Sequence, residues 1–187
     1  MKKLMIGAAT VAMLLCGSAM AADSGARLPS FNEMKVQAEK GNPVAQNNLA
    51  ALYATGEGIG KDFKLAAEWY GKAAEQGYAI AQHNLGGMFE TGQGVEKDPA
   101  TAAVWYALAA EQGDGWAQVS LASLHAAGKL VQNDLSSAYR WSVVASANED
   151  KDVRTTAADL IKQIGPKLSP AARAEAEKMA KVWRPNR

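Results

Sequence analysis

Two histidines, His83 and His125, one cysteine, Cys16, and acids at recurring positions are the side chains with which this chain could do chemistry. A zinc site takes three or four His, Cys or carboxylate donors at ligand spacing, and neither histidine has such neighbours along the chain. His83 follows Gln82 on the first helix of a hairpin and is expected to face solvent. His125 shares a column with Tyr53 and Phe89, which reads as a partly buried filler of a groove wall. Gly56-x-Gly58 and Gly92-x-Gly94 resemble part of a phosphate loop, but such loops follow a strand and no convincing strand is present. The serines lack a recurring His/Asp partner of the kind that activates a hydroxyl. Glu57, Asp62, Glu96 and Asp98 are explained as helix caps and solvated turns. The expectation is therefore no catalytic residue, no cofactor and no metal.

The acids and glycines recur because nearly everything recurs. Trp69, Trp105 and Trp141 stand 36 residues apart. Leu49, Leu85 and Leu121 keep that spacing, as do Gly56, Gly92 and Gly128, and Asp62, Asp98 and Asp134. Three alanine columns follow it too: Ala45, Ala81 and Ala117; Ala66, Ala102 and Ala138; Ala73, Ala109 and Ala145. A fixed period of this size marks an array whose units bury their apolar faces against their neighbours.

Each unit reads as a helical hairpin. Ala45, Leu49, Leu52 and Tyr53 fall on one helix face, and Gly56 ends that helix by accepting a left-handed cap. Asp62 then offers a carboxylate to the free N–H groups of a second helix, and Asp98-Pro99 sharpens the same boundary one period on. Ala66, Trp69, Tyr70, Ala73 and Ala74 share a face of the second helix, which Gly77 terminates. The small alanines let backbones approach, and the three tryptophans are expected to fill the core between them. The architecture expected is all-α, a right-handed α-solenoid of helix-turn-helix repeats with a 36-residue period. Its parts are an N-terminal helix over 30–40, repeats at 45–80, 81–116 and 117–152, and a degenerate repeat with a cap over 153–183, all within a helical-repeat domain 30–187. The cap helix starts at Ser169-Pro170 and carries alternating charge from Arg173 to Lys181, as the polar end unit of a solenoid should.

The beginning of the chain has a different composition. Lys2-Lys3, an apolar run from Leu4 to Leu15 and Ala19-Met20-Ala21 are the three parts of an export signal over 1–21, with a flexible lead-in at 22–29. The run of about 12 residues is shorter than the roughly 20 that span a bilayer. Processing at Cys16 as a lipoprotein is the alternative, and Leu15 stands where that site takes a small residue. Without Lys2 and Lys3 the 20 basic residues fall to 18 against 19 acidic, a net charge of −1. Such a balance offers nothing to attract nucleic acid or anionic lipid. The expected location is exported, periplasmic or secreted.

The signature A-Q-x-x-L-(A/G)-x-(L/M)-(Y/F)-x-x-G-x-G-(I/V)-x-x-D, then A-A-x-W-Y-x-x-A-A-E-Q-G, occupies 45–77 and again 81–113. It resembles the SEL-like repeat family, relatives of the tetratricopeptide repeats, over about residues 36–148. The third copy departs from it with Leu130 for the second loop glycine, His125 for Tyr/Phe, Ser142 for the tyrosine and Ala147-Asn148-Glu149 for Glu-Gln-Gly. The resemblance implies an adaptor that gathers other proteins, with exported bacterial members tied to signalling, envelope assembly and host contact. A cysteine-rich branch is linked to β-lactam binding or hydrolysis, and its cysteines are missing here.

A scaffold of this kind is expected to bind a protein or peptide along its concave, first-helix face. Asn47, His83 and Val119 are the contact positions expected there, with Gln46, Gln82 and Gln118 beside them. The glutamine column has a second reading, hydrogen bonds that tie neighbouring hairpins. The rival function is a small envelope hydrolase acting on wall material, for which no catalytic constellation is visible.

Overall fold

The computed structural model describes residues 30–128, 130 and 134–186; the export-signal and lead-in segments, 1–21 and 22–29, lie outside them. Helix α1 covers Phe31–Glu39 and is followed by the pairs α2 (Pro43–Thr55) and α3 (Phe63–Glu75), α4 (Ala79–Thr91) and α5 (Pro99–Glu111), and α6 (Gly115–Ala126) and α7 (Leu135–Ala145). Helix α8 (Lys151–Ile164), a short 3-10 turn (Gly165–Lys167) and α9 (Pro170–Val182) complete the stack. Helix α2 begins two residues ahead of the 45–80 unit, since a period has no phase of its own.

Repeated start and stop signals give repeated helices. The Asp62 carboxylate accepts from the amides of Lys64 and Leu65 at 3.0 Å each, and Asp98 and Asp134 cap α5 and α7 in the same way. Gly56 and Gly92 close α2 and α4 in the left-handed conformation. Gly94 serves a different end. It too has positive φ, and a Cβ there would collide with the Phe63 carbonyl, so the loop of one hairpin lies directly on the start of the preceding second helix. Leu130 occupies that register in the next hairpin and packs into the core instead.

From α1 to α8 each helix packs on its chain neighbours, and α9 folds back onto α7 while α8 also touches α6. Every member of the columns Ala66/102/138 and Ala73/109/145 is buried, which is what permits close backbone approach. Leu49, Leu85 and Leu121 are buried with them. The tryptophans correct the expectation of a uniform core ladder. Trp141 is 3% exposed, but Trp69 and Trp105 only flank the core, and the buried aromatics of those two hairpins are the adjacent Tyr70 and Tyr106. Gly86 explains part of this, because a Cβ at that position would meet the Tyr106 ring at 2.8 Å.

Candidate partner-binding grooves

The first-helix positions expected to meet a partner are turned into the stack. Asn47 (7% exposed) and Val119 (5%) are buried and His83 is half-buried, so the expected solvent placement of all three is overturned. The reason is a pairing rule between consecutive first helices. Asn84 donates to the Asn47 side-chain oxygen at 3.2 Å, and His83 Nε2 lies 3.5 Å from Ser120 Oγ, the same pair one period later. Asn47 and His83 differ in type because each is matched to a partner 37 positions away, Asn84 and Ser120, that differs as well.

The glutamines follow the second of their two readings. Nε2 of Gln46, Gln82 and Gln118 donates to the carbonyls of Ala38, Ala74 and Ala110 at 3.0–3.2 Å, while Gln76 and Gln112 donate to the Gln46 and Gln82 oxygens. All three are buried, and each adds a second hydrogen bond to a helix-end carbonyl that already accepts from the amide of Gly41, Gly77 or Gly113, so the side chain ties one hairpin to the next.

His83 sits in a polar patch of this interior with titratable neighbours. Its ring is 5.5 Å from that of Tyr106, whose hydroxyl donates to Glu90 at 3.1 Å. Removal from water lowers the His83 pKa below its ordinary 6.5, against the opposing pull of Asp114 and Glu90. Burial likewise drives Tyr106 far above its usual value. A neutral imidazole next to a serine is the nearest approach to a hydrolytic pair. Its 3.5 Å separation exceeds nucleophile–base reach, and it fills the slot that Asn47–Asn84 fills without any such chemistry. His125 is half-buried in its column, as expected of a wall residue. Among the described residues no three His, Cys, Asp or Glu side chains converge as a metal site would need.

Open surface lies on the other side, between consecutive second helices. Lys64, Ala67, Glu68, Gly71 and Glu75 form one stripe of α3, and Trp105 of α5 stands opposite across a groove of about 390 Å³. Leu85 and Phe89 of α4 reach its floor, and Val95 from the glycine loop closes one end. The adjoining outer face of α5 is apolar as well. Val104 is 59% exposed and Leu108 45%, one turn apart, where α3 carries Glu68 and Lys72 and α7 carries Arg140 and Val144. Lys72 covers the Trp69 ring from 3.8 Å, so the preceding tryptophan is capped by a cation. Sequence reading missed this surface, although Val104 breaks the polar pattern of its column, Asn32, Glu68 and Arg140.

One period further, the matching groove between α5 and α7 is filled. The Trp183 ring, just after α9, meets Trp141 edge-on at 5.9 Å, and its indole N–H donates to the Glu111 carboxylate at 3.3 Å. The Asn186 amide donates to the Glu111 carbonyl at 2.8 Å, and Pro185 lies against Gly113.

Stacked hairpins with inter-hairpin hydrogen bonds and second-helix grooves define an α-solenoid repeat protein. The Sel1 repeat pattern matches residues 43–78, 79–114 and 117–148, and the chain belongs to the Sel1 repeat family, whose members generally act through protein–protein interaction. Among solved structures, a Sel1 repeat protein from Oxalobacter formigenes is similar at 29% identity and a TM-score of 0.65, over 81% of this chain and 62% of the other. A protective antigen of uropathogenic Escherichia coli strains, displaying an SLR fold, is similar at 29% identity and a TM-score of 0.61, over 82% of this chain and 40% of the other. The chain therefore spans less than two thirds of either relative's length. No curated protein matches it.

Proposed function

We propose that this chain is an exported, non-catalytic scaffold of the bacterial cell envelope that captures a partner protein on its second-helix face. The observation that carries the reading is the exposed apolar face of α5, Val104 and Leu108, continuous with the open groove beside Trp105. A helix apolar on all sides belongs in a core, and on a surface it marks an interaction site. The near-neutral charge gives no support to nucleic acid or anionic lipid as partner, and the family's general use of protein contacts supports a protein. The signal-like segment ending at Ala21 supports export.

The test is recovery of crosslinked partners from the native envelope by tagged wild-type protein and by the double variant Val104→Glu, Leu108→Lys. The expected result is a specific set of partners lost from the variant, which keeps wild-type helicity because both side chains point to water. Undiminished recovery by the variant, or turnover of labelled wall fragments by the wild type, overturns the reading. N-terminal sequencing of the same preparation should begin at Ala22 within a residue or two; a lipid-modified Cys16 at the start overturns cleavage at Ala21.

A further inference from the structure

The two second-helix grooves are built from the same parts and differ in occupancy. Where the filled groove has Glu111, Trp141 and Ala107, the open one has Glu75, Trp105 and Gly71, each 36 residues earlier. The glycine that meets Pro185 in the filled groove, Gly113, corresponds to Gly77, around which a Cβ would find no atom within 4 Å. Gly71 is equally unobstructed, where the filled groove already carries a methyl group at Ala107. The open groove thus holds an indole wall, a carboxylate acceptor at the rim, a free backbone carbonyl at the helix end and a clear shelf beyond it. Those are the four things that seat Trp183, Asn186 and Pro185 one period on.

We propose that the groove between α3 and α5 binds a tryptophan-bearing segment of a partner protein, seated as Trp183 is seated between α5 and α7. The indole enters edge-on against Trp105 and donates its N–H to the Glu75 carboxylate. A backbone amide three residues later donates to the Glu75 carbonyl, with a proline between them resting on Gly77. A volume of about 390 Å³ lies within the range of small-ligand pockets and accommodates a ring with adjoining backbone. The occupant is a partner and not a second copy, because Trp183 is tethered directly to the docked α9 and its effective concentration at its own groove excludes donation elsewhere. This deepens the scaffold reading by naming the partner's chemistry. That reading stands or falls by envelope capture, independently of a purified peptide assay.

The assay uses a fluorescein-labelled peptide of residues 179–186, Met-Ala-Lys-Val-Trp-Arg-Pro-Asn, titrated with the purified chain and read by anisotropy. Saturable binding is expected, weakened at least about tenfold when the peptide tryptophan becomes alanine, as for an anchoring ring. Gly71→Leu fills the open groove with a strong helix former and should abolish binding with helicity and melting temperature undiminished. Glu111→Gln, which touches only the filled groove, should leave it intact. No saturation, indifference to the tryptophan, or loss in Glu111→Gln with retention in Gly71→Leu overturns the assignment. A wild-type dimer in sedimentation that Trp183→Ala dissolves would make the occupant a second copy, and overturn it too. A Gly71→Leu chain that fails to fold is replaced by Glu75→Ala, expected to weaken the peptide at least about tenfold through its exposed carboxylate.

Discussion

The second and third hairpins carry the same tryptophan in the same register, and only one of them is buried. Trp141 is enclosed because α9 folds back across α7 and lays Trp183 on its ring, whereas Trp105 has open groove in that place. Identical residues at identical positions in a repeat therefore acquire different roles from what the neighbouring chain supplies. The array core is the tyrosine–alanine–leucine interior common to α2–α5, and the tryptophans form a second layer whose burial depends on a cover.

That comparison has a large expected consequence for stability. Trp141→Ala should cost about 3–5 kcal/mol, the range for a buried ring, and Trp105→Ala less than half of that because its ring is already partly in water. Urea denaturation with tyrosine or circular dichroism readout measures both. Equal losses would mean that the groove beside Trp105 is closed in solution.

A smaller contrast lies in the glycine loops. Gly58 and Gly94 have nearly the same positive φ, 74° and 73°, yet only Gly94 abuts backbone. Gly58→Ala should cost about 1 kcal/mol for the conformation alone, whereas Gly94→Ala must also push the loop off Phe63 and should cost about 2–3 kcal/mol. Matching losses from the two would show that the loop does not rest on α3.

The smallest effect is pH-dependent. The His83 pKa is lowered on folding, so its neutral form is favoured in the folded state. Its contribution is present above pH 6.5 and lost as pH falls below it. Between pH 7.5 and 5.5 the wild type should lose stability relative to His83→Asn, which places in the slot the residue found at Asn47. The difference is bounded by about 1.4 kcal/mol per pH unit below 6.5. Parallel pH profiles would mean that folding leaves the His83 pKa unchanged, and a wild type that gains on the variant as pH falls would mean that Asp114 and Glu90 hold the imidazolium in the fold.

Much of this molecule was legible in the sequence, and the errors cluster in one place. The caps at Asp62, Asp98 and Asp134, the terminators Gly56 and Gly92, the N-terminal helix over 30–40 and the Ser169-Pro170 start are local signals read within a few residues. They agree with the helices observed. The faces were harder. Asn47, His83 and Val119 looked solvent-exposed because they are polar or variable, but polar side chains are buried at low cost when a neighbour at 37 residues completes the hydrogen bond. Periodicity revealed that hairpins stack, and it carries no information about which side of each hairpin meets the next.

The repeat, its helices and their boundaries were determined by the sequence alone, because caps, glycines and apolar spacing act over one or two turns. Which tryptophan is core, which groove is filled and which face is left for a partner were decided only by tertiary structure. Those outcomes depend on α9 returning to α7 and on the segment after it reaching Glu111, a contact spanning 72 residues. A residue's type sets what it can bury, and only the arrival of distant chain determines whether it does.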